Sequence, residues 1–215
     1  VPKPMAEVLG KPFLAWQMDY LMSQGVDKFV LSVGYKRSSI INYFGTNYEV
    51  ATIKYSEEDT PLGTGGGLIK SMQFIEGEFF ILVNGDTFFP INIQKLIEYF
   101  KNKSHPIMAM ALFKANIKNR FGAVKIDPED QSFLGFKSEY AELGTPANGG
   151  FYVGDTKHFQ EYTKNFEKIS KISFESEILE NICQIKKVFC LEYHEPLLDI
   201  GTPKDYEQIS AKLKS

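Results

Sequence analysis

The first half of the chain alternates between two hydrophobic periods. Apolar residues that recur every three or four positions predict helices, and short apolar runs rich in β-branched and aromatic residues predict strands buried on both faces. On these grounds the helices are predicted at 12–24, 40–44, 67–74 and 92–103, and the strands at 29–33, 51–55 and 79–83. Strands that alternate with helices are typical of βαβ units and of a mainly parallel sheet.

The second half of the chain changes character. Strands joined by turns such as 127–130 are predicted, with a helix before the last strand and a final helix from 199–206. The predicted strands are 106–113, 122–126, 133–136, 149–153 and 187–192, and the predicted helix before the last of them is 173–182. The prediction is one α/β domain over residues 1–215, a Rossmann-like, mainly parallel mixed sheet flanked by helices, to which the second half adds strands.

Composition and charge narrow the class of protein. The 215 residues are 43% hydrophobic and 24% charged, which is the composition of an ordinary globular chain with the length of one domain. The net charge of −3 argues against nucleic acid or a membrane surface as a partner. No apolar run approaches the roughly 20 residues of a membrane span, so we expect a cytoplasmic protein. Cys183 and Cys190 match no metal or redox motif and are expected to be reduced thiols.

A glycine-rich segment, Pro-Leu-Gly-Thr-Gly-Gly-Gly at 61–67, precedes the third predicted helix. Glycines allow a positive φ and let backbone N–H groups approach a ligand closely, and the start of a helix favours negative charge. The segment matches neither the P-loop nor the dinucleotide-binding fingerprint. Taken alone, it leaves ligand contact and a purely structural turn as alternatives.

Three charged side chains are candidates for phosphate chemistry. Asp86 follows the predicted strand 79–83, and Asp199 follows an apolar pair, so each could hold Mg²⁺ on a nucleoside triphosphate or could cap a turn or helix. Lys3 lies between two prolines that fix an extended backbone. It could neutralise phosphate or could be a solvated loop lysine. Sequence spacing alone does not show that the two carboxylates converge.

Eight short motifs together resemble one family. They appear in the family's order as PKPM at 2–5, LGKPFL at 9–14, VGYK at 33–36, YFG at 43–45, PLGTGGGL at 61–68, NGDTFF at 84–89, NGGFYV at 148–153 and DIGTPKDY at 199–206. The chain is identified from them as a member of the nucleoside-diphosphate-sugar pyrophosphorylase family, the sugar-1-phosphate nucleotidyltransferases. Within it, the chain most resembles the short bacterial guanylyltransferases that act on D-glycero-D-manno-heptose 1-phosphate. The similarity runs from Val1 to about Tyr206.

The resemblance implies roles for individual residues. Asp86 and Asp199 would be the paired Mg²⁺ ligands, and Lys3 would contact phosphate at the reacting centre. The remaining implied contacts are Glu58, Pro61, Gly63, Thr64, Asn84 and Gly85 with the nucleotide, and Lys137, Asn148 and Gly149 with the sugar phosphate. The substrates would be a nucleoside triphosphate, with GTP favoured, and a sugar 1-phosphate. The implied reaction is in-line attack of the sugar phosphate on the α-phosphorus with release of pyrophosphate, which needs positioning and electrostatics more than an acid–base residue.

The chain departs from the family pattern at two places. The family begins with a strand and a GGxGTRL loop that wraps the triphosphate, and neither appears before Val1, so we expect that an N-terminal piece has been left out. Many relatives also carry Glu-Lys-Pro after a phenylalanine in the later strand region, and here Glu139 stands where that lysine would fall. Lys137 is a candidate substitute, two residues and about 7 Å along the strand.

Other functions stay open at this point. A UDP- or CDP-forming relative differs by a few contacts to the base, and a glutamate such as Glu58 could favour guanine by accepting from N1–H and N2–H, or could simply be a surface residue of an acidic run. A catalytically silent nucleotide-binding domain is less favoured, because it would not need both aspartates. A dinucleotide-dependent oxidoreductase lacks its fingerprint glycines. Small size and many aromatic residues are compatible with a homo-oligomer.

Overall fold

A computed structural model describes residues 2–115, 121–140, 142–166, 171–200 and Ile209, without the side chains of 138–140. The predicted final helix therefore lies outside the described residues, apart from its first positions. The strands are β1 (Glu7–Val8), β2 (Lys11–Pro12), β3 (Lys28–Val33), β4 (Asn47–Tyr48), β5 (Ala51–Glu57), β6 (Phe79–Val83), β7 (Thr87–Phe88), β8 (Met108–Lys114), β9 (Gly122–Ile126), β10 (Phe133–Tyr140), β11 (Pro146–Asp155), β12 (Val188–Tyr193) and β13 (Leu198–Asp199).

Most predicted helices form, with shifted ends. The α-helices are α1 (Phe13–Ser23), α2 (Arg37–Phe44), α3 (Gly63–Ser71), α4 (Ile93–Lys101), α5 (Thr156–Thr163) and α6 (Glu180–Cys183). The predicted cap of α4 is confirmed, because the side chain of Asn92 accepts from the backbone N–H of Lys95. The helix predicted at 173–182 is a π-helix, Phe174–Leu179, continued by α6. Helix α5 was not predicted, although Asp155 caps it as an aspartate at that position should.

The larger sheet has six strands in a mixed arrangement. Its order is β10-β9-β11-β8-β12, and β6 pairs with β11 beside β9. Besides two separate strand pairs, β1-β2 and β7-β13, the other sheet is three-stranded and has the order β3-β5-β4. Helices flank both, so the predicted α/β class with a mixed sheet is confirmed.

The pairing directions correct the expectation of a mainly parallel sheet. Among the pairings of the described residues, β3–β5 and β8–β12 are parallel and the others are antiparallel. Strands β9 and β10 are joined by a short turn and reverse direction when they pair, whereas β11 meets β6 and β8, which lie far from it in sequence, in the antiparallel direction. The alternation of strand and helix in the first half therefore does not extend to the sheet as a whole.

Strand β8 lies at the centre of the core. Its first six residues, Met108–Phe113, are all buried, as both faces of the six-stranded sheet are covered. One hydrophobic cluster includes Met108, Met110 and Leu112 together with apolar residues of the π-helix, and another includes Ala109, Ala111 and Phe113 together with apolar residues of α4. Among the described residues, no helix is long and apolar enough to cross a membrane.

A cavity of about 1080 Å³ separates β3 from β6. Every residue of β6 and every residue of β3 lines it. Because side chains alternate between the two faces of a strand, a cavity lined by consecutive residues lies along the edge of the strand. In the described part of the chain, β3 pairs only with β5 and β6 pairs only with β11, so both strands turn an unpaired edge towards this cavity.

Candidate functional site

The two predicted metal ligands lie on neighbouring segments. Strand β13 pairs antiparallel with β7, and Asp199 lies opposite Thr87 in this pairing. The residue after Asp199, Ile200, donates its N–H to the carbonyl oxygen of Asp86 at 3.1 Å. The fold therefore brings two aspartates from distant parts of the sequence to one edge of the molecule.

This pair of aspartates fits a magnesium ion that is shared with a substrate. Mg²⁺ in nucleotide sites usually takes one or two carboxylates and fills its other positions with water and phosphate oxygens. Asp86 and Asp199 are both partly exposed, so a substrate can reach them. In the described ranges, no group of three or more His, Cys, Asp or Glu side chains forms an all-protein metal cage.

Lys3 lies beside the first of these aspartates. It begins a 3₁₀ turn, Lys3–Met5, which follows the extended Pro2. Its Nζ atom is 4.0 Å from Oδ2 of Asp86, and 62% of its side chain is exposed. An exposed ammonium beside a carboxylate pair can contact the phosphates of a nucleotide that is held there.

Gln17 fixes the turn that carries Asp86, and sequence reasoning missed it. It is buried in α1, and its Nε2 donates to the carbonyl oxygens of Asn84, at 2.8 Å, and of Thr87. These two carbonyls lie on either side of Asp86. A single glutamine in an apolar helical pattern gives no sequence signal for such a role, because only the fold shows what it reaches.

The glycine-rich segment differs from its prediction. Helix α3 begins at Gly63 and not at 67, so the glycines form its first turns. The backbone N–H groups of Gly65 and Gly66 both donate to the carbonyl oxygen of Ile172, at 2.9 and 3.3 Å. A side chain at position 65 would approach Ile178 within 2.8 Å. Close packing against another part of the chain thus explains Gly65, and the N–H groups of both glycines are used within the protein.

The first residues of α3 are joined to the π-helix. Gly63 has a φ of +77°, and a Cβ there would collide with the carbonyl group of Ile172. The hydroxyl of Thr64 accepts a hydrogen bond of 2.9 Å from the backbone N–H of Phe174. The segment predicted to border the nucleotide is therefore attached to the first residue of the π-helix.

Glu58 holds the loop at 58–62, which precedes α3. Its Oε1 accepts from the Ser32 hydroxyl at 3.0 Å, and its Oε2 accepts from the backbone N–H of Leu62 at 2.9 Å. A carboxylate has about four lone-pair sites, so two remain for other donors. Arg37 supports the same loop through its bond to the Glu58 carbonyl oxygen.

A bulge in β11 contacts the turn that precedes Asp86. The register with β8 shifts between Asn148 and Phe151, and Gly150 has a φ of +66°. Its carbonyl oxygen accepts from the backbone N–H of Asn84 at 2.9 Å. A Cβ on Gly149 would collide with the ring of Phe89. The fold thus brings the predicted sugar-phosphate residues Asn148 and Gly149 next to the predicted nucleotide residues.

Lys137 lies farther from this centre. It is exposed on β10, which β9 separates from β11, so two strand spacings, about 9.5 Å, lie between them. Phe136 packs against the cluster that contains Tyr152, whereas Lys137 is exposed. The side chain of Glu139 lies outside the described residues.

Glu175 is a second residue that sequence reasoning missed. Its Oε1 accepts a hydrogen bond of 2.8 Å from the side-chain amide of Asn148. The side chain is exposed, yet desolvation by the surrounding protein raises the pKa of its carboxyl, and the bond from Asn148 partly offsets this. A glutamate at the start of a predicted helix has the ordinary appearance of a capping residue, which explains why it was overlooked.

One end of the cavity between β3 and β6 collects the predicted nucleotide residues. All six of them line it: Glu58, Pro61, Gly63, Thr64, Asn84 and Gly85. Asp86, beside Lys3, directly follows the last of these residues. The polar mouth of the cavity and the aspartate pair thus form one continuous region.

Known proteins resemble this chain over nearly its whole length. A family model described as "Nucleotidyl transferase" matches residues 1–215. The D-glycero-alpha-D-manno-heptose 1-phosphate guanylyltransferase of Campylobacter jejuni is 34% identical over 96% of this chain and 88% of that protein. The enzyme with the same name from Aneurinibacillus thermoaerophilus is also 34% identical, over 100% of this chain and 90% of that protein.

Solved structures give the same result. A crystal structure of HddC from Yersinia pseudotuberculosis has a TM-score of 0.85 and 30% identity, over 99% of this chain and 90% of that one. The same protein in complex with GMP-PN has a TM-score of 0.84. The family model and these relatives cover nearly the whole chain. The chain therefore belongs to the nucleotidyl transferase family.

Proposed function

We propose that this protein is a magnesium-dependent guanylyltransferase that joins GTP to D-glycero-D-manno-heptose 1-phosphate and releases pyrophosphate. The observation that carries the proposal is the pairing of β13 with β7, since it brings Asp86 and Asp199 together beside Lys3. The relatives that match over most of their length support GTP and a heptose 1-phosphate as substrates.

Each group of residues has its own role in the proposed reaction. Asp86 and Asp199 would hold Mg²⁺, which when bound offsets negative charge on the phosphate oxygens. The ammonium of Lys3 faces the phosphates, and the loop held by Glu58 orients the base. The attacking oxygen belongs to the sugar phosphate, which is already an anion at neutral pH. It forms a bond to the α-phosphorus while the bond to pyrophosphate breaks, so the protein needs to align the two substrates and needs no general base.

The test is pyrophosphate release from four nucleoside triphosphates, each combined with heptose, mannose and glucose 1-phosphates. We expect turnover with GTP and heptose 1-phosphate, loss of that turnover when the metal is chelated, and recovery when Mg²⁺ is added back. Turnover with UTP or CTP instead would replace GTP in the proposal. Absence of turnover with every pair, together with nucleotide binding, would favour a silent binding domain.

Asp86→Asn tests the site within this assay. We expect it to lower kcat at least about 100-fold, because a metal ligand and its charge are removed. Asp130→Asn is the matched control, since it removes the same charge from the turn between β9 and β10. Equal activity of the two variants would contradict the assignment of the metal site.

We further propose that the cavity between β3 and β6 holds one more strand, the element that the family resemblance predicts ahead of Val1. Glu76, which precedes β6, forms ion pairs with Lys28 at the start of β3 and with Lys54 on β5. This supports β3 and β6 running in the same direction. Each residue of a strand occupies about 3.3 Å along the strand axis, 4.8 Å between neighbouring strands and 10 Å between packed faces. The product of these lengths is the volume that one residue needs, and the volume of the cavity corresponds to about seven residues.

Amide hydrogen exchange tests the strand. In a protein that carries the N-terminal continuation, the amides of β3 and β6 should exchange slowly. Rapid exchange in these two strands, with slow exchange in β8, would contradict the presence of the added strand.

A homo-oligomeric state and a cytoplasmic location are separate predictions. Light scattering would test the first of them.

A further inference from the structure

The residue predicted to contact the sugar phosphate, Asn148, is already occupied by its own protein. Its Nδ2 donates to Glu175 at 2.8 Å and to the hydroxyl of Tyr152 at 2.6 Å. Its Oδ1 accepts from the backbone N–H of Gly150 at 2.9 Å and from the same tyrosine at 3.0 Å. A side-chain amide has two N–H donors and two acceptor sites. Among the described residues, both donors of Asn148 and at least one of its acceptor sites are therefore used by the protein itself.

Glu175 is in the opposite situation. Its carboxylate has about four acceptor sites, and the described residues use one of them, on Oε1. The π-helix that carries it is fixed at its start, where Thr64 accepts from Phe174 and Glu177 accepts from the backbone N–H of Ser173 at 2.6 Å. Single π-helical turns often occur at functional sites, because they reorient side chains. Glu175 is thus an exposed acceptor with a fixed position.

The charge of Glu175 decides which part of a sugar phosphate it can meet. A carboxylate repels a phosphate and accepts hydrogen bonds from hydroxyl groups. Lys3 supplies positive charge near Asp86, to which a bound Mg²⁺ would add, and the bulge at 148–150 connects that region to Glu175 through the hydrogen bonds Asn84–Gly150 and Asn148–Glu175. A substrate with its phosphate at the aspartate pair would extend its hydroxyl-bearing ring towards Glu175.

We propose that Glu175 reads the sugar, by accepting hydrogen bonds from ring hydroxyl groups, and that Asn148 and Tyr152 position Glu175 without touching the sugar. This inference rests on the proposed function and names the residue that selects a polyhydroxylated sugar. Glu175 is then a binding residue, and Asn148 is a positioning residue that acts through it.

The first test compares Glu175→Gln with the wild-type protein. Each hydrogen bond to a charged acceptor contributes about 10- to 100-fold in affinity, so KM for the sugar 1-phosphate should rise by about that factor. KM for GTP should stay unchanged. The matched control is Glu177→Gln in the same π-helix, which should lower the melting temperature, because it weakens the bond to Ser173, and should leave KM for the sugar phosphate unchanged.

A second measurement separates sugar reading from a structural role. Wild-type protein should lose activity towards deoxy analogues of the sugar 1-phosphate, whereas Glu175→Ala should treat at least one analogue and its parent alike. If the variant discriminates among all of them as well as wild-type protein does, the proposal is overturned. Wild-type turnover is measured first, so that an inactive wild type counts against the proposed function, and an active wild type with an unchanged Glu175→Gln variant counts against this inference alone.

The role of Asn148 is tested by combining substitutions. If Asn148 acts through Glu175, then Asn148→Ala raises KM for the sugar phosphate in wild-type protein and has no further effect in the Glu175→Ala background. An equal effect in both backgrounds would show that Asn148 contacts the sugar itself, and would overturn the positioning part of the proposal.

Discussion

Strand β8 and strand β3 have similar apolar sequences and opposite surroundings. The first six residues of β8 are all buried, whereas in β3 only Val33 is buried and Phe29, Val30 and Leu31 remain partly exposed. The difference lies in their neighbours. Strand β8 has a partner on each side, and β3 pairs on one side and faces the cavity on the other. An apolar run therefore indicates that a strand can be buried on both faces, and partial burial of that run shows where the strand lacks a neighbour on one side.

Replacement of a leucine by alanine in β8 should have the largest effect on stability, larger than the same replacement in β3. Leu112→Ala in β8 should destabilise the protein by about 2–5 kcal/mol, because it leaves a cavity in a fully packed core. Urea unfolding, followed by circular dichroism, measures it. A loss below about 1 kcal/mol would mean that β8 is not the centre of the core.

Gln17→Ala, in the lining of the cavity between β3 and β6, should have the next largest effect. It removes the donor to the carbonyl oxygens of Asn84 and Thr87, and an unsatisfied buried polar group costs about 1–3 kcal/mol. The turn that carries Asp86 should also loosen, so the affinity for Mg²⁺ should fall. A Mg²⁺ titration of activity measures this, and unchanged affinity would contradict the positioning role of Gln17.

Leu31→Ala in β3 should cost less than its counterpart in β8, about 1–2 kcal/mol, since part of the leucine is already in contact with water. This prediction sharpens the comparison. If a further strand fills the cavity, the cost of Leu31→Ala should approach that of Leu112→Ala in a protein that carries this strand. Equal costs in both forms would argue against the added strand.

Glu76→Gln should have the smallest effect on stability, because the ion pairs of Glu76 with Lys54 and Lys28 are exposed. The hydrogen bond and charge of Lys54, followed by Lys28, lower the pKa of Glu76. A lowered pKa in the folded state means that this contribution is present at neutral pH and is lost as the pH falls through the acid range. The difference between Glu76→Gln and wild type should therefore shrink at low pH and in high salt, as measured by thermal unfolding.

Much of the fold was predictable because it depends on local patterns. The strands at 29–33 and 79–83 and the cap at Asn92 follow from apolar runs and from a side chain that satisfies nearby N–H groups. The pairing directions were less accessible, because they depend on which strands meet across the chain. The bulge at 148–150 and the start of α3 at Gly63 depend on contacts with Asn84 and Ile172, which sequence order does not reveal.

The residues of the candidate site were predictable to the extent that the motifs contain them. Asp86, Asp199 and Lys3 were chosen from sequence, and the structure brings them together. The roles of Gln17 and Glu175 depend on what each side chain reaches, and neither has an unusual local sequence. The glycine-rich segment 61–67 left ligand contact and a structural turn open from sequence, and the hydrogen bonds from the N–H groups of Gly65 and Gly66 to Ile172 could not be foreseen from it.

A double-mutant cycle on the two aspartates tests the central claim most directly. Pyrophosphate release with GTP and heptose 1-phosphate would be measured for Asp86→Asn, Asp199→Asn and the double variant, at saturating Mg²⁺. If both carboxylates hold one ion, each single variant loses most of its activity. The double variant then releases pyrophosphate as fast as the less active of the two single variants. Effects that multiply, or a single variant with wild-type activity, would contradict a shared metal site.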